Sequence, residues 1–353
     1  MLRAEDRIVL LQHGGLDSLT GKTGLSMLRH RQGPIVAVID PGHAGAALEA
    51  VTGIPRSIPV VASLQDALPY APEVAVVGLA PSGGRLPDPL RMDALAALKA
   101  GLSIASGLHT KLGDDPAFAA ACQPGRWIWD LRQEPTGLVV GQGRAAALPC
   151  QRILAVGTDM AVGKMSACLT LKEAAERRGL SCRFVGTGQA GILISGAGTP
   201  LDAVRVDYAA GAVEAAVLKA AEGLTETGLV LVEGQGSLCH PGSTATLPLI
   251  RGSQPTDLLL VHRAEQTTID RLTEVPLPPL PELIQITEGL ARMGRPCPLG
   301  PPAKVKAVAL NTARLEPTDA ERALRAMENQ LQLPCVDPIR EGAHQLLNAF
   351  RPQ

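Results

Sequence analysis

The sequence predicts an α/β protein with two domains, each built on a mainly parallel sheet, and three observations lead to this fold class. Short apolar runs rich in β-branched residues alternate with glycine-rich turns and longer amphipathic stretches, which is the pattern of βαβ units. The chain is 46% hydrophobic but only 2% aromatic, so the core must be aliphatic. Its 353 residues indicate two domains, at roughly 150 residues each.

The first half of the chain reads as a Rossmann-like domain. Strands are predicted at 7–12, 35–40, 74–80 and 102–106, with helical patterns at 25–30 and 89–100. No Gly-x-Gly-x-x-Gly motif precedes Asp40 at the end of the second strand, which argues against an NAD site. A polar, alanine-rich stretch at 141–151 is the expected junction, giving domains of residues 1–148 and 149–353.

The second half has the same alternation. Strands are predicted at 152–156, 182–185, 228–233, 258–262 and 305–311, and helices follow Gly163, Asp207 and Pro317. Two segments dense in proline, 275–281 and 295–302, are predicted to be extended loops, because proline fixes φ and lacks an N–H donor.

Composition excludes several classes of partner. Lys and Arg number 33 against 34 Asp and Glu, and no basic block offers a nucleic-acid footprint. No apolar run approaches the roughly 18 residues that span a bilayer, and the N-terminus lacks the layout of a signal peptide. We expect a cytoplasmic protein with a small-molecule substrate and, from base rates, a homo-oligomer. Seven cysteines without a Cys-x-x-Cys pair indicate neither a disulfide framework nor a metal site.

The most informative segment is the glycine loop at 157–164, which follows a predicted strand and precedes a helix. Such a loop turns backbone N–H groups toward an anion, and the lysine adds a mobile cation for phosphate oxygens. The spacing is Gly-x5-Gly-Lys, and Met165 stands where Mg-nucleotide enzymes carry a hydroxyl, with Ser166 one place later. The candidate cofactor-binding residues of this segment are Gly157, Thr158, Asp159, Val162, Gly163, Lys164, Met165 and Ser166.

A second segment with a similar but less specific pattern, Gly-x5-Gly-Lys-Thr, lies at residues 15–23. It could bind an anion, or it could be the structural first turn of the Rossmann-like domain.

Glu233 and His240 are the candidate catalytic residues. Glu233 ends a buried strand and opens a glycine-rich loop, at the sheet edge where ligands bind in α/β proteins. It could act as a general base or hold a metal, and His240 could transfer a proton. The alternatives are a structural acid at a strand end and a surface histidine.

Candidate substrate-binding residues come from three other places. A glycine loop at 186–192 contains Gly188 and Gln189 at the same sheet edge. Asp207 shares one helix face with Gly211 and Glu214, and His109 follows a strand of the first domain. A solvated helix face and a surface histidine are the structural alternatives.

These residues resemble two groups of proteins. The loop at 157–164, Glu233 at a strand end and Asn311 after another strand are similar to dethiobiotin synthetase and its P-loop relatives. The whole chain is identified as a member of a two-domain family, long of unknown function, that includes a D-glutamate N-acetyltransferase. That match also rests on Asp40, His109, Gln189, Asp202, His240 and the segment 337–340.

The resemblance implies a Rossmann-like N-terminal domain, a P-loop NTPase-like C-terminal domain, and transfer of acetyl from acetyl-CoA to D-glutamate or a similar amino acid. Under that hypothesis the loop binds the phosphates of CoA and Asn311 contacts the base. Glu233 or His240 takes the proton from the attacking ammonium, and N–H groups at 186–191 stabilise the oxyanion.

Two alternatives remain open from the sequence. One is an ATP- and Mg²⁺-dependent ligase or kinase of the dethiobiotin synthetase type, in which Glu233 holds the metal. The other is a non-catalytic nucleotide-binding switch, because a fold alone does not fix a function.

Overall fold

The structure, a computed structural model, describes residues 2–80, 86–296 and 300–351. The strands are β1 (Ile8–Leu11), β2 (Ile35–Ile39), β3 (Val60–Val61), β4 (Val74–Val77), β5 (Ser103–Ser106), β6 (Ile128–Asp130), β7 (Gln151–Gly157), β8 (Cys182–Val185), β9 (Leu229–Val232), β10 (Asp257–Arg263), β11 (Thr268–Ile269), β12 (Leu272–Pro276), β13 (Lys304–Asn311) and β14 (Cys335–Val336). The helices are α1 (Lys22–His30), α2 (Leu48–Thr52), α3 (Leu64–Ala67), α4 (Asp88–Lys99), α5 (Pro116–Ala121), α6 (Lys164–Arg177), α7 (Gln189–Ser195), α8 (Val206–Ala220), α9 (Thr246–Ser253), α10 (Leu280–Arg292), α11 (Pro317–Leu331) and α12 (His344–Phe350).

The chain divides into two compact units. The first comprises Met1–Gln133 together with Gln189–Gly196, and the second comprises Glu134–Gly188 and Ala197–Gln353. Each contains a six-stranded sheet in which all pairings are parallel. The predicted fold class, an α/β protein with two parallel sheets, is therefore confirmed.

The sheet of the first unit has the strand order β3-β2-β1-β4-β5-β6, which is the order of Rossmann folds. Both faces of β1 and β4 are buried, as expected of parallel strands covered by helices. Helix α7 belongs to this unit because it packs against α1, and its Ile192 and Leu193 join the core around Ile8 and Leu28.

The sheet of the second unit has the order β14-β13-β10-β7-β9-β8. Strand β7 lies inside the sheet between β10 and β9, and its apolar residues are buried with those of both neighbours. Because all six strands run parallel, the loops that follow β7, β9 and β10 emerge at the same edge of the sheet. This edge carries the candidate site.

The second unit begins at Glu134, earlier than the predicted junction after residue 148, because the segment 139–144 packs on α8. The buried carboxylate of Glu214 accepts hydrogen bonds from the Gln142 N–H (3.2 Å), the Arg144 N–H (2.7 Å) and the Arg144 side chain (2.7 Å). A Cβ on Gly211 would lie 1.7 Å from the Val139 carbonyl oxygen. The face of α8 that carries Gly211 and Glu214 was predicted to approach substrate, but these two residues contact the segment 139–144 instead.

Replacing Gly211 with alanine is expected to destabilise the protein, because the new methyl group would overlap the Val139 carbonyl. Overpacking of this kind costs about 1–3 kcal/mol, which outweighs the gain in helix propensity. Gly289→Ala in α10 is the matched control, since nothing lies within 4 Å of its Cβ position, and it should stabilise by up to about 1 kcal/mol. Chemical denaturation monitored by circular dichroism measures both, and equal effects would contradict the contact.

Most of the predicted strands and helices are found within a few residues of their expected bounds, but two loop predictions are wrong. The glycine loop at 186–192 ends at Gly188, because Gln189 begins α7. The segment 275–281 is not an extended loop throughout, since Pro276 ends the hairpin strand β12 and Pro281 lies in the first turn of α10. A proline is tolerated there because the first N–H groups of a helix have no partner in it. In the second proline segment, residues 297–299 lie outside the described part.

Three absences hold for the part of the chain that the structure describes. No helix there is long and apolar enough to cross a membrane. Its six cysteines form no disulfide, and Cys297 lies outside that part. Within the same residues, no group of three or more His, Cys, Asp or Glu side chains could hold a metal ion.

Candidate functional site

The loop at 157–164 joins β7 to α6, as the sequence predicts. Gly163 has a φ of +113°, in the region that favours glycine, and Ala161 has a φ of +53°. The loop then enters α6, whose first-turn N–H groups have no partner within the helix. The N-terminus of this helix therefore presents donors and a partial positive charge to an anion.

Asp159 braces the loop from the inside. Its buried carboxylate accepts hydrogen bonds from the Met160 N–H (2.6 Å), the Gln266 side chain (2.6 Å) and the Asp270 N–H (2.7 Å). Gln266 precedes the β11–β12 hairpin and Asp270 lies within it, so the hairpin braces the loop. Both carboxylate oxygens thus accept hydrogen bonds from within the protein, and through them Asp159 shapes the loop.

Two further side chains hold the next part of the loop. The Arg263 guanidinium donates to the Ala161 carbonyl (3.0 Å), and the Asn311 amide nitrogen donates to the Val162 carbonyl (2.9 Å). The Asn311 amide oxygen accepts from the Ala313 N–H (3.0 Å). Each end of this amide makes one hydrogen bond within the protein, which leaves one N–H and one lone pair for the contact with a base that the resemblance implied.

Thr158 and the loop after β9 are linked by a buried polar network. The Thr158 hydroxyl hydrogen-bonds to Nδ1 of His262 (2.9 Å), and the Ser237 hydroxyl donates to the Thr158 carbonyl (2.8 Å). Burial, aided by the charge of Arg263, lowers the pKa of His262 to about 4. The ring is therefore neutral near pH 7 and orients Thr158, whose side chain is itself fully buried.

Lys164 is the buried cation of the site. Its ammonium donates to the Asp159 carbonyl (2.7 Å), and the side chain is 6% exposed. The side chain runs past two glycines: a Cβ on Gly157 would lie 2.8 Å from Nζ, and one on Gly234 would lie 2.7 Å from Cδ. Burial lowers the pKa of Lys164 to about 8, although the charges of Asp159 and Glu233 raise it. Within the described residues the ammonium makes this one hydrogen bond, which leaves two of its three N–H donors for a phosphate.

Glu233 follows β9 and is held by backbone N–H groups. Its Oε2 accepts from the Thr187 N–H (2.7 Å) and the Gly188 N–H (3.1 Å). Burial raises the pKa of Glu233 to about 7, while these two N–H groups and the charge of Lys164 lower it. No hydrogen bond reaches Oε1 from the described residues. A carboxylate with one free oxygen that titrates near neutrality is suited to general base catalysis.

The hydrogen bonds to Glu233 change the role expected for the loop after β8. The N–H groups of Thr187 and Gly188 were predicted to be available to an oxyanion, but both donate to the Glu233 carboxylate. Their effect is to orient that carboxylate and to stabilise its charged form.

His240 lies in the loop after β9 and is half-buried. Its Nδ1 accepts a hydrogen bond from the Gly242 N–H (3.0 Å), so Nε2 is the ring nitrogen left for proton transfer. Within the described residues no hydrogen bond joins His240 to Glu233 or Lys164.

Of the four predicted substrate-binding residues, His109 and Gln189 belong to the first unit, and Gly188 and Asp207 belong to the second. Gly188 contacts Glu233, and Gln189, one residue later, donates to the Thr23 hydroxyl (2.7 Å) in the first unit. His109 is exposed after β5 and hydrogen-bonds to Arg132, whereas Asp207 is exposed in the first turn of α8. Their role in substrate binding stays a prediction.

The second glycine loop, at 15–23, is closed around a glutamine. The buried Gln12 amide donates to the carbonyls of Gly15 (3.3 Å) and Gly21 (2.9 Å). A Cβ on Gly21 would lie 1.9 Å from the Gly15 oxygen. Carbonyls and a side chain fill the centre where an anion would need N–H groups, which favours the interpretation as a structural turn.

Comparison with known proteins places this geometry in a family. Residues 139–347 match the P-loop domain of a domain of unknown function, DUF1611, and residues 41–134 match the Rossmann-like N-terminal domain of the same family. The chain belongs to the DUF1611 family. The resemblance and both domain types predicted from the sequence are thereby confirmed.

Relatives of this DUF1611 protein include two with a named activity. A D-glutamate N-acetyltransferase of Tritonibacter scottomollicae is 35% identical over 291 residues, covering 82% of this chain and 84% of its own. A D-glutamate N-acetyltransferase of a Pseudoalteromonas species is 31% identical over 287 residues, covering 81% and 83%. The crystal structure of a DUF1611 family protein from Anabaena variabilis is 49% identical, with a TM-score of 0.91, over 99% of this chain and 100% of the other.

Sequence reasoning missed several residues that shape the DUF1611 site. Arg263, Gln266 and Asp270 act on the loop across a sequence separation of about one hundred positions, and no local pattern marks such contacts. His262 did carry a signal, because it is a histidine within an otherwise apolar buried strand.

Proposed function

We propose that the protein transfers the acetyl group of acetyl-CoA to the amino group of D-glutamate or a similar amino acid. The main support is that two relatives carrying the name D-glutamate N-acetyltransferase align with most of this chain and of their own. The buried pair of Lys164 and Glu233 at the phosphate-binding loop supplies groups suited to both halves of that reaction.

In this proposal the loop binds the phosphates of the acyl donor. The N–H groups at the start of α6 and the Lys164 ammonium contact the pyrophosphate of CoA. Met165 follows the lysine, so the hydroxyl that positions Mg²⁺ in P-loop nucleotide enzymes is replaced by a thioether. A loop of this kind is better suited to holding a pyrophosphate than to cleaving one.

Glu233 acts as the general base. The acceptor enters as an ammonium and must lose a proton before its nitrogen can attack the thioester carbonyl, and Oε1 of Glu233 takes that proton. A C–N bond then forms while the C–S bond breaks. A second proton leaves the nitrogen, the released thiolate of CoA is protonated, and N-acetylglutamate and free CoA are the products. His240 Nε2 is the second candidate for these proton transfers.

The first experiment is detection of the product by mass spectrometry. Purified protein is incubated with acetyl-CoA and D-glutamate, with and without ATP and Mg²⁺, and L-glutamate serves as the control acceptor. Thiol-reagent assays would be disturbed by the seven cysteines of the chain. We expect N-acetylglutamate to form without ATP, because the thioester already supplies an activated acyl group.

Two outcomes would contradict the proposal. Absence of N-acetylated product in every condition would exclude these substrates. Formation of ADP only when ATP and Mg²⁺ are present would instead identify the loop as the site of a nucleotide-dependent reaction.

A further inference from the structure

A cavity of about 270 Å³ opens in the second unit beside the phosphate-binding loop. Met160 of that loop forms one part of its wall. The remainder comes from the segment between α7 and α8, the loop after β9 and the first turns of α8 and α9. Its volume is just below the roughly 300–1,000 Å³ of typical small-molecule sites. A ligand bound at the loop could therefore extend directly into this cavity.

The charge of the cavity wall restricts what it can hold. Among the described residues that line it, Asp202 carries the only ionisable side chain. Glutamate has two carboxylates and a net negative charge at neutral pH, and burying such groups without a cation is costly. The wall therefore disfavours the acceptor amino acid and favours an uncharged ligand.

The other wall groups fit a chain of methylenes and amides. Leu201, Val204 and Val206 provide apolar surface, and Val206 is 76% exposed at the rim. Gln235, which also lines the cavity, has a buried side-chain oxygen that accepts no hydrogen bond within the described residues. Buried acceptors are nearly always paired, so this oxygen is suited to receive an N–H donor from a ligand.

We propose that this cavity receives the pantetheine arm of the acyl donor while the phosphate-binding loop holds its phosphates. The inference rests on the proposed function, because it requires a coenzyme A thioester as the donor. The arm is uncharged, consists of two amides linked by methylene groups, and joins the pyrophosphate at one end. The apolar parts of the arm contact the aliphatic wall, and the side-chain oxygen of Gln235 accepts a hydrogen bond from one of its amide N–H groups. The acceptor amino acid binds outside the cavity.

The test compares CoA with adenosine 3′-phosphate 5′-diphosphate, which carries the phosphates of CoA without the arm. Thr244 and Val206 line the cavity and are exposed, so Thr244→Trp and Val206→Trp should narrow it without disturbing the fold. Thr227→Trp is the matched control, because Thr227 is exposed just before β9 at the opposite edge of the sheet. Isothermal titration calorimetry measures both affinities, and circular dichroism checks each fold.

Both cavity variants are expected to weaken CoA binding at least ~10-fold, which is about 1.4 kcal/mol. Their affinity for adenosine 3′-phosphate 5′-diphosphate should equal that of the wild type. The control should bind both compounds as the wild type does. If CoA affinity is unchanged in both cavity variants, or if binding of the two compounds is weakened equally, the inference about the cavity is wrong while the proposed function stands. Wild-type protein that binds neither compound would overturn the proposed function and the inference with it.

Discussion

Lys164→Met is expected to abolish detectable binding of CoA and to reduce kcat/KM for acetyl-CoA at least ~100-fold, or about 2.7 kcal/mol. The methionine keeps most of the aliphatic side chain that runs past Gly234 but removes the ammonium. Burial makes this cation effective, because a charge in a low-dielectric site attracts phosphate more strongly than one in water. The affinity is measured by calorimetry and the rate by product formation.

Stability separates loss of binding from loss of fold. Lys164 donates to a single backbone carbonyl and its pKa is lowered to about 8, so removing its charge should cost little folding free energy. Lys219→Met, on the exposed end of α8, is the control and should behave as the wild type in every assay. Wild-type affinity in Lys164→Met would disprove the role assigned to the phosphate-binding loop.

Glu233→Gln is expected to lower kcat by a factor of about 10²–10⁴ while the KM for acetyl-CoA changes little, since the residue acts on the acceptor proton. The base is active when ionised, so activity of the wild type should rise as pH increases through about 7, where burial places the pKa of Glu233. The residual activity of the variant should lack that rise. A pH–rate profile of both proteins from pH 5.5 to pH 9 measures this.

The same carboxyl group makes a prediction about folding. Its pKa is raised from the ordinary 4.5 to about 7, so between these values the folded protein holds a proton that the unfolded chain has released. The contribution of this group to stability therefore falls as pH rises through that window and is constant above it. Chemical denaturation of wild type and Glu233→Gln across this pH range measures the contribution of the Glu233 carboxyl to the free energy of unfolding. Should His240 be the base instead, kcat would fall in His240→Asn and stay near the wild-type value in Glu233→Gln.

The framework of strands could be predicted because parallel strands buried on both faces are continuous apolar runs. Strand β10, for example, was expected at 258–262 and covers Asp257–Arg263. The phosphate-binding loop was also predictable, since strand, glycines, lysine and helix follow one another along the chain. Such features need no knowledge of distant residues.

The features that sequence reasoning missed depend on contacts between distant residues. Helix α7 is short and owes its burial to packing against α1, so no local pattern distinguishes it from a glycine loop. The network of Asp159, Gln266 and Asp270 forms only when the β11–β12 hairpin meets the loop. The position of Glu233 at a strand end was predictable, but the use of the Thr187 N–H as its donor was not.

The bracing of the phosphate-binding loop by Asp159, Arg263 and Asn311 has a consequence for the kinetics of binding. A loop fixed in one shape before ligand arrives has no minor conformer that a ligand must wait for, and its apparent affinity is not reduced by a fractional population. The entropy of ordering the loop has already been lost during folding, so we expect association in a single step and affinity differences among ligands that lie in their dissociation rates.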